Sequence, residues 1–293
     1  MLHKIPIEDT KKHTKGISES RRTQVSNLQN HIQEILGDSH HTFLQGSYKN
    51  GTSTSDINDV DIAAVRVNTY SGTYSPKPFS NTIAWENIFE EIEKKLRSQK
   101  LYVWTVERKD KCIQVVTRDF KADVVPATQV QEDIGTDPIA IYSFKNRSEK
   151  INSPRNHYEN GVSKNKETSN NYKPIVRLFK NWLTNHFGNK RPISSYQIES
   201  LIYNTPSENF SDDHASSFIL IGLHIKEMLS SIHAFSPKIN SVCGTENIII
   251  NWSEIDRGIF KKQLEESLTT ALKAYKSTTA SEAKYYWDKA FNL

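Results

Sequence analysis

The sequence predicts an α+β fold in two parts, a core of mixed sheet and helices over residues 1–146 and a helical remainder over 147–293. Two observations carry this division. Apolar residues switch between period-two and period-3.6 spacing up to Val125, whereas beyond Asn171 the spacing is helical almost throughout. Between them, from Asn146 to Asn171, polar residues dominate and mark a domain boundary or a long surface loop. A third observation concerns chemistry. Val60-Asp61-Ile62 and Ala122-Asp123-Val124 each set an acid between apolar residues in a strand-like pattern.

The elements follow in order. Val25, Leu28, Ile32 and Ile35 recur at steps of three and four, with Ser18 or Ser20 as cap and Gly37 as stop, which predicts a helix. Residues 41–45 form a short strand candidate, where the adjacent His40 and His41 point to opposite faces and make a poor metal pair. A glycine and hydroxyl turn over 46–55 leads to a strand over 60–67 and a loop over 68–82. Ile88, Phe89, Ile92 and Leu96 give the stripe of a helix over 83–99, and strands are expected at 101–108, 112–117 and 120–125. The second half reads as helices at 172–187, 194–203, 215–234, 257–278 and 280–290, with a short apolar segment at 247–252.

Composition narrows the classes. A 293-residue chain with 36% hydrophobic and 25% charged residues is globular and holds one large domain or two moderate ones. Its longest apolar run, Phe218 to Leu223, is far too short for a bilayer, and the charged start argues against a secretory signal. Two cysteines are too few for a disulfide framework or a thiolate zinc site, so a reducing cytoplasm is expected. Net charge is only +4, yet Lys145 to Lys180 carries nine basic residues against three acids, a local +6 that either faces solvent or meets something anionic.

The acids cluster in sequence logic. Gly46-Ser47 lies thirteen positions before Asp59, and Asp59-Val60-Asp61 puts both carboxylates on one strand face. Asp123 follows 62 positions after Asp61 in a second strand, which a sheet can bring to the same face. A glycine turn admits phosphate oxygens close to backbone N–H groups, and a serine adds a donor. Three converging carboxylates repel by roughly 1 kcal/mol per pair in water and more in protein, so they favour bound cations. Oxygen-only donors select magnesium or manganese over zinc. The site therefore reads as one for two Mg2+ ions, with Mn2+ admitted, and a nucleoside triphosphate.

These residues resemble a known family. Gly46-Ser47 through Gly51-Thr52, then Asp59-Val60-Asp61 and Asp123-Val124-Val125-Pro126, are similar to the nucleotidyltransferase superfamily of DNA polymerase β. Within it they look like the bacterial cyclic GMP-AMP synthase/DncV-like enzymes (CD-NTase, SMODS type). Val176-Arg177-Leu178-Phe179-Lys180-Asn181-Trp182 and Ser194-Ser195-Tyr196-Gln197-Ile198-Glu199 are similar to that family's helical domain, as is the ending from Ala271 to Phe291.

The resemblance implies a polymerase-β-like core with a mixed sheet and a helical carboxyl-terminal domain like that of oligoadenylate synthase, the active site lying in the cleft between them. It implies that Asp59, Asp61 and Asp123 are the catalytic metal ligands, with Gly46 and Ser47 on the triphosphate. It further implies that Lys180 reaches the triphosphate and that Ser195 holds a phosphate while Tyr196 stacks a base. Read from the residues alone, Lys180 also suits a solvated helix face, Ser195 a helix cap and Tyr196 plain core.

Three functions compete at this point. The first is a cytoplasmic synthase joining ribonucleoside triphosphates, ATP or GTP before pyrimidines, into a cyclic di- or trinucleotide whose effector acts in antiphage (CBASS) defence. The second transfers a nucleotide to RNA, protein or a small molecule, and the third is a nucleotide-binding module without catalysis. The chain lacks the cysteine and histidine insertion of the animal DNA sensor, so activation by DNA is not expected, nor is a membrane partner.

Overall fold

The computed structural model describes residues 7–54, 58–70, 83–100, 103–130, 137–230 and 238–293. The chain begins with a helix that the sequence reading omits, α1 (Ile7–Thr14). It continues into α2 (Glu19–Leu36), where Ser18 caps the first turn by accepting from Arg21 N and Gly37 ends the last at φ 65°. Val25, Leu28, Ile32 and Leu36 are the buried stripe; Ile35 is only half-buried. Then come β1 (His40–Gln45), a five-residue helix α3 (Gly46–Asn50) and β2 (Asp59–Tyr70). The predicted turn over 46–55 is thus partly helical, and 55–57 lie outside the described residues.

Along β1, His40 is buried and His41 exposed, as opposite faces require. The loop expected over 68–82 starts later, because β2 runs on to Tyr70, and 71–82 lie outside the described residues. Helix α4 (Trp85–Ser98) buries the predicted stripe of Ile88, Phe89, Ile92 and Leu96. Four more strands follow: β3 (Thr105–Arg108), β4 (Ile113–Val116), β5 (Lys121–Gln129) and β6 (Ile139–Ser143). The polar stretch after Asn146 is not a loop. It forms β7 (Ser148–Asn152), paired with β6, and helix α5 (Pro154–Glu167).

Five helices complete the described chain: α6 (Tyr172–Phe187), α7 (Ser195–Tyr203), α8 (His214–Ser230), α9 (Glu254–Lys276) and α10 (Ala280–Ala290). The segment 247–252 is a set of turns with one bridge, Asn240 to Asn247. Among the described residues no helix is long and apolar enough to cross a membrane.

Two compact units result. The first, Ile17–Tyr158, is a seven-stranded mixed sheet in the order β1-β2-β5-β4-β3, with β6 beside β5 and β7 beside β6. Only β2 and β5 run parallel; every other pair is antiparallel. One sheet face packs Val60, Ile62, Ala64, Ala122, Val124, Ile113 and Val115 against the stripes of α2 and α4. The opposite face carries a smaller cluster of Ala63, Val65, Ala127 and Ile139. Alternation along β2 and β5 therefore directs Asp61 and Asp123 to the face away from those helices.

The second unit joins α1 to residues 159–293 around Trp182, Phe179, Phe218, Trp287 and Phe291. Helix α1 is tied there because Arg177 Nε donates to Thr14 O at 2.6 Å and Asn181 Nδ2 to His13 O at 2.7 Å. By compactness the chain thus divides at 16/17 and 158/159, where composition alone suggests 146/147. A hairpin and helix turn with polar exteriors leave no mark in composition.

Candidate active site

Strand register builds the centre of the site. Parallel pairing of β2 with β5 sets Asp61 directly beside Asp123, and Asp59, two residues earlier, shares their face beside Lys121. The same row continues in both directions, since Gln45 of β1 pairs with Asp61 and Gln114 of β4 pairs with Asp123. Two adjacent acids are thus flanked by two amides across four strands. Arg21 secures the entry to the strands, donating to Asn58 Oδ1 and Asp119 O, both at 2.6 Å, with its guanidinium over the Phe120 ring.

The Asp61 carboxyl is pushed up to about 6, first by burial and then by the charges of Asp123 and Asp59. All three influences act in one direction, which is the signature of acids without a neutralising partner. The Cys112 thiol, buried nearby, is pushed up to about 12 by burial and by Asp123 and Asp61. Gln114 Nε2 reaches Asp123 Oδ1 at 3.0 Å, and the Cys112 side chain hydrogen-bonds the same carboxylate. Asp59 is exposed at the strand's start. Among the described residues no three His, Cys, Asp or Glu side chains converge as a finished metal cage. The donor set still fits hard divalent cations, being all carboxylate oxygen with an unrelieved negative charge.

Gly46 is required by position. Its φ is +66°, and a Cβ there would overlap the Asp61 Oδ2 oxygen. The glycine therefore lets the α3 turn pass directly against the acid. Ser47 is half-buried in that turn, and its carbonyl accepts from Thr52 N at 3.0 Å and Ser53 N at 3.1 Å, folding the chain back on itself. Ser53 Oγ, on a residue only 1% exposed, has no partner among the described residues. The structure thus brings Gly46, Asp61 and Asp123 together, with Asp59 two residues before Asp61 on the same strand face and Ser47 in the turn that Gly46 opens.

The three candidates from the second half lie in the helical unit. Lys180 does not present an open ammonium: its Nζ donates to Glu199 Oε2 at 2.9 Å, and both side chains are only 4% exposed. The solvated helix face is absent, since Lys180 is only 3% exposed. Ser194, not Ser195, caps α7 in a reciprocal box with Gln197, which leaves the Ser195 hydroxyl half-exposed with Arg191 Nη1 at 3.4 Å. Tyr196 packs partly into the helical core, and its hydroxyl meets Cys243 Sγ at 3.3 Å. Burial and that contact hold its ionisation well above the usual phenol range.

Sequence reading overlooks Gln114, Gln45 and Arg21. For Gln114 the signal was present, because Ile113-Gln114-Val115 interrupts a buried strand with a polar residue just as the two aspartates do. Nothing local reveals the other two.

Comparisons agree with this architecture. Residues 159–269 match the family described as cGAS/DncV-like nucleotidyltransferase C-terminal helical domain. The chain is similar to cyclic nucleotide synthase CdnE01 of Staphylococcus haemolyticus, with 32% identity over 60% of this chain and 66% of that one. It is also similar to cyclic dipyrimidine nucleotide synthase CdnE of Legionella pneumophila, 30% identical over 69% of this chain and 78% of the relative. Among solved structures, the Rhodothermus marinus CdnE c-UMP-AMP synthase with Apcpp and Upnpp superposes with a TM-score of 0.71 at 22% identity, covering 90% of this chain and 97% of that one. CdnC of E. coli MS115-1 with ATP gives 0.75 at 16% identity, over 98% and 96%.

Proposed function

We propose a function on the premise that the chain belongs to the cGAS/DncV-like nucleotidyltransferase family. It joins ribonucleoside triphosphates into a cyclic di- or trinucleotide, releasing pyrophosphate at each bond, as the messenger of a cytoplasmic antiphage response. The observation that carries this reading is the in-register pairing of Asp61 with Asp123 beside a turn that only glycine can make.

In this reading a ribose hydroxyl oxygen of the acceptor bonds to the α-phosphorus of the donor. The bond from that phosphorus to the bridging oxygen breaks, pyrophosphate leaves, and the hydroxyl proton passes to solvent. Two magnesium or manganese ions, when bound, supply charge neutralisation and a more acidic acceptor hydroxyl. Asp59 and Asp61 would hold both, and Asp123 the acceptor-side one. The α3 turn at Gly46 and Ser47 holds the β- and γ-phosphates through its backbone N–H groups and the serine hydroxyl. Ser195, half-exposed, remains suited to a phosphate. Tyr196 keeps its ring for a base only where its packed edge leaves a face open. Lys180 is assigned to holding α6 on α7 through Glu199.

The bases do not follow from what the family shares. Relatives 28 to 30% identical to this chain are named for dipyrimidine, UMP-AMP, dipurine and GMP-AMP products. Base choice therefore rests on a few pocket contacts.

The test is incubation of the purified protein with all four ribonucleoside triphosphates and Mg2+ or Mn2+, beside Asp61→Ala. Phosphatase-treated products are read by mass spectrometry. A phosphatase-resistant species of cyclic di- or trinucleotide mass, absent from the variant, is the expected result and names the bases. Product that forms only when RNA, protein or a small-molecule acceptor is added would overturn the synthase reading in favour of transfer to that acceptor.

A further inference from the structure

We propose that Gln114 is a positioning residue for Asp123, fixing the orientation in which its carboxylate is presented to a divalent cation. The inference rests on the reading of Asp59, Asp61 and Asp123 as cation ligands and extends it to a residue that touches neither nucleotide nor metal. Three observations support it. Gln114 lies directly opposite Asp123 in the β4–β5 register, on the face that also carries Asp61. Its Nε2 donates to Asp123 Oδ1 at 3.0 Å. It sits between Ile113 and Val115, both fully buried, so the strand holds its side chain on that face with little freedom to turn.

The chemistry of the donor explains the choice of residue. A carboxylate rotates readily about its last bond, and an amide N–H on one oxygen stops that rotation. The Cys112 side chain, its thiol held protonated, hydrogen-bonds the same carboxylate, so Asp123 is held by neutral donors and keeps its charge for a cation. A lysine or arginine at 114 would donate equally well. It would also neutralise Asp123 and remove the charge that attracts the ion. Glutamine is the long neutral donor that orients the acid and keeps its charge. On the other flank of the row stands a second amide, Gln45, opposite Asp61, accepting from Asn152 Nδ2 at 3.3 Å.

Mn2+ alone is the probe. Its uptake by the full-length chain is measured by the loss of the free-ion electron paramagnetic resonance signal, for wild type, Gln114→Leu, Gln114→Lys and Asp123→Asn. Gln114→Leu, which keeps volume and loses the donor, is expected to weaken uptake about tenfold, the usual scale for a group that orients a metal ligand. Its kcat should fall by a similar factor while KM for the triphosphates stays within about twofold, because Gly46 and Ser47 are untouched. Gln114→Lys is expected to match Asp123→Asn in losing uptake. Circular dichroism and thermal unfolding keep the comparison to folded protein.

Gln114→Leu with wild-type uptake and kcat would overturn the proposal, as would a Gln114→Lys variant that binds Mn2+ normally. A fall in kcat with unchanged Mn2+ uptake would equally assign Gln114 a role in strand packing alone. Failure of the underlying reading looks different: wild type itself would take up no Mn2+ and would match Asp123→Asn throughout.

Discussion

Each unit contains buried or half-buried charge, and the two treat it oppositely. In the helical unit Lys180 and Glu199 face each other at 2.9 Å with side chains 4% exposed, a pair of opposite charges. In the sheet unit Asp61 and Asp123 stand side by side, and burial and like charge alike push the Asp61 carboxyl upward. A buried opposite-charge pair offsets much of its desolvation cost within the fold. An unrelieved pair destabilises the fold and is retained where a ligand supplies the missing charge. The contrast separates structural charge from functional charge without reference to any relative. It also bears on Lys180, for which the resemblance implies a triphosphate contact and to which the structure gives a buried carboxylate partner.

Removing an acid should produce the largest effect on activity. Asp61→Ala or Asp123→Ala is expected to lower pyrophosphate release by at least about 10^4-fold, since all cation-dependent stabilisation of the transition state is lost together. The same variants should stay folded by circular dichroism, because they remove repulsion. Unfolding by either substitution would place the acids among structural groups. Breaking the opposite-charge pair should do the reverse. Lys180→Met takes the cation away from the buried Glu199 carboxylate, at a cost of about 3 to 5 kcal/mol in denaturant unfolding, and Lys180→Met with Glu199→Leu should recover most of it. If Lys180→Met were as stable as wild type and only triphosphate affinity fell, the lysine would return to the phosphate.

The difference between the units also explains what the sequence discloses. Acids forced into buried strands stand out, because a polar residue between Val60 and Ile62, or between Ala122 and Val124, contradicts its surroundings. Helices α6 and α10 begin and end where their apolar spacing does, as each packs one stripe into the aromatic core. Strand β7 and helix α5 escape notice because both are polar outside and are held by pairing with β6 or by packing, features that spacing does not encode. The Lys180–Glu199 pair is invisible for a related reason. Its partners lie on different helices, and a lysine in a helix reads alike whether it meets solvent, phosphate or a carboxylate. Legibility thus follows conflict with the local pattern, while satisfied polar groups leave no trace.

The smallest effect carries a sign that separates the two kinds of charge most cleanly. The Asp61 carboxyl rises from 3.8 to about 6 on folding. Below pH ~4 it is protonated in both states and contributes no penalty. As pH climbs through 4 to 6 the unfolded chain releases this proton while the folded chain holds it, so folding loses stability, and above about 6 the loss is complete. Asp61→Asn removes the penalty. It should therefore be more stable than wild type at pH 7.5 by about 1 to 3 kcal/mol, with the gain fading to nothing near pH 4. Millimolar Mg2+ should narrow the gap at pH 7.5 by stabilising wild type alone, as any ligand of the native state does. Denaturant unfolding of both proteins across that range, with and without the ion, reads the whole pattern. An Asp61→Asn variant less stable than wild type at pH 7.5 would mean that the aspartate is already paired, and the distinction between the two units would collapse.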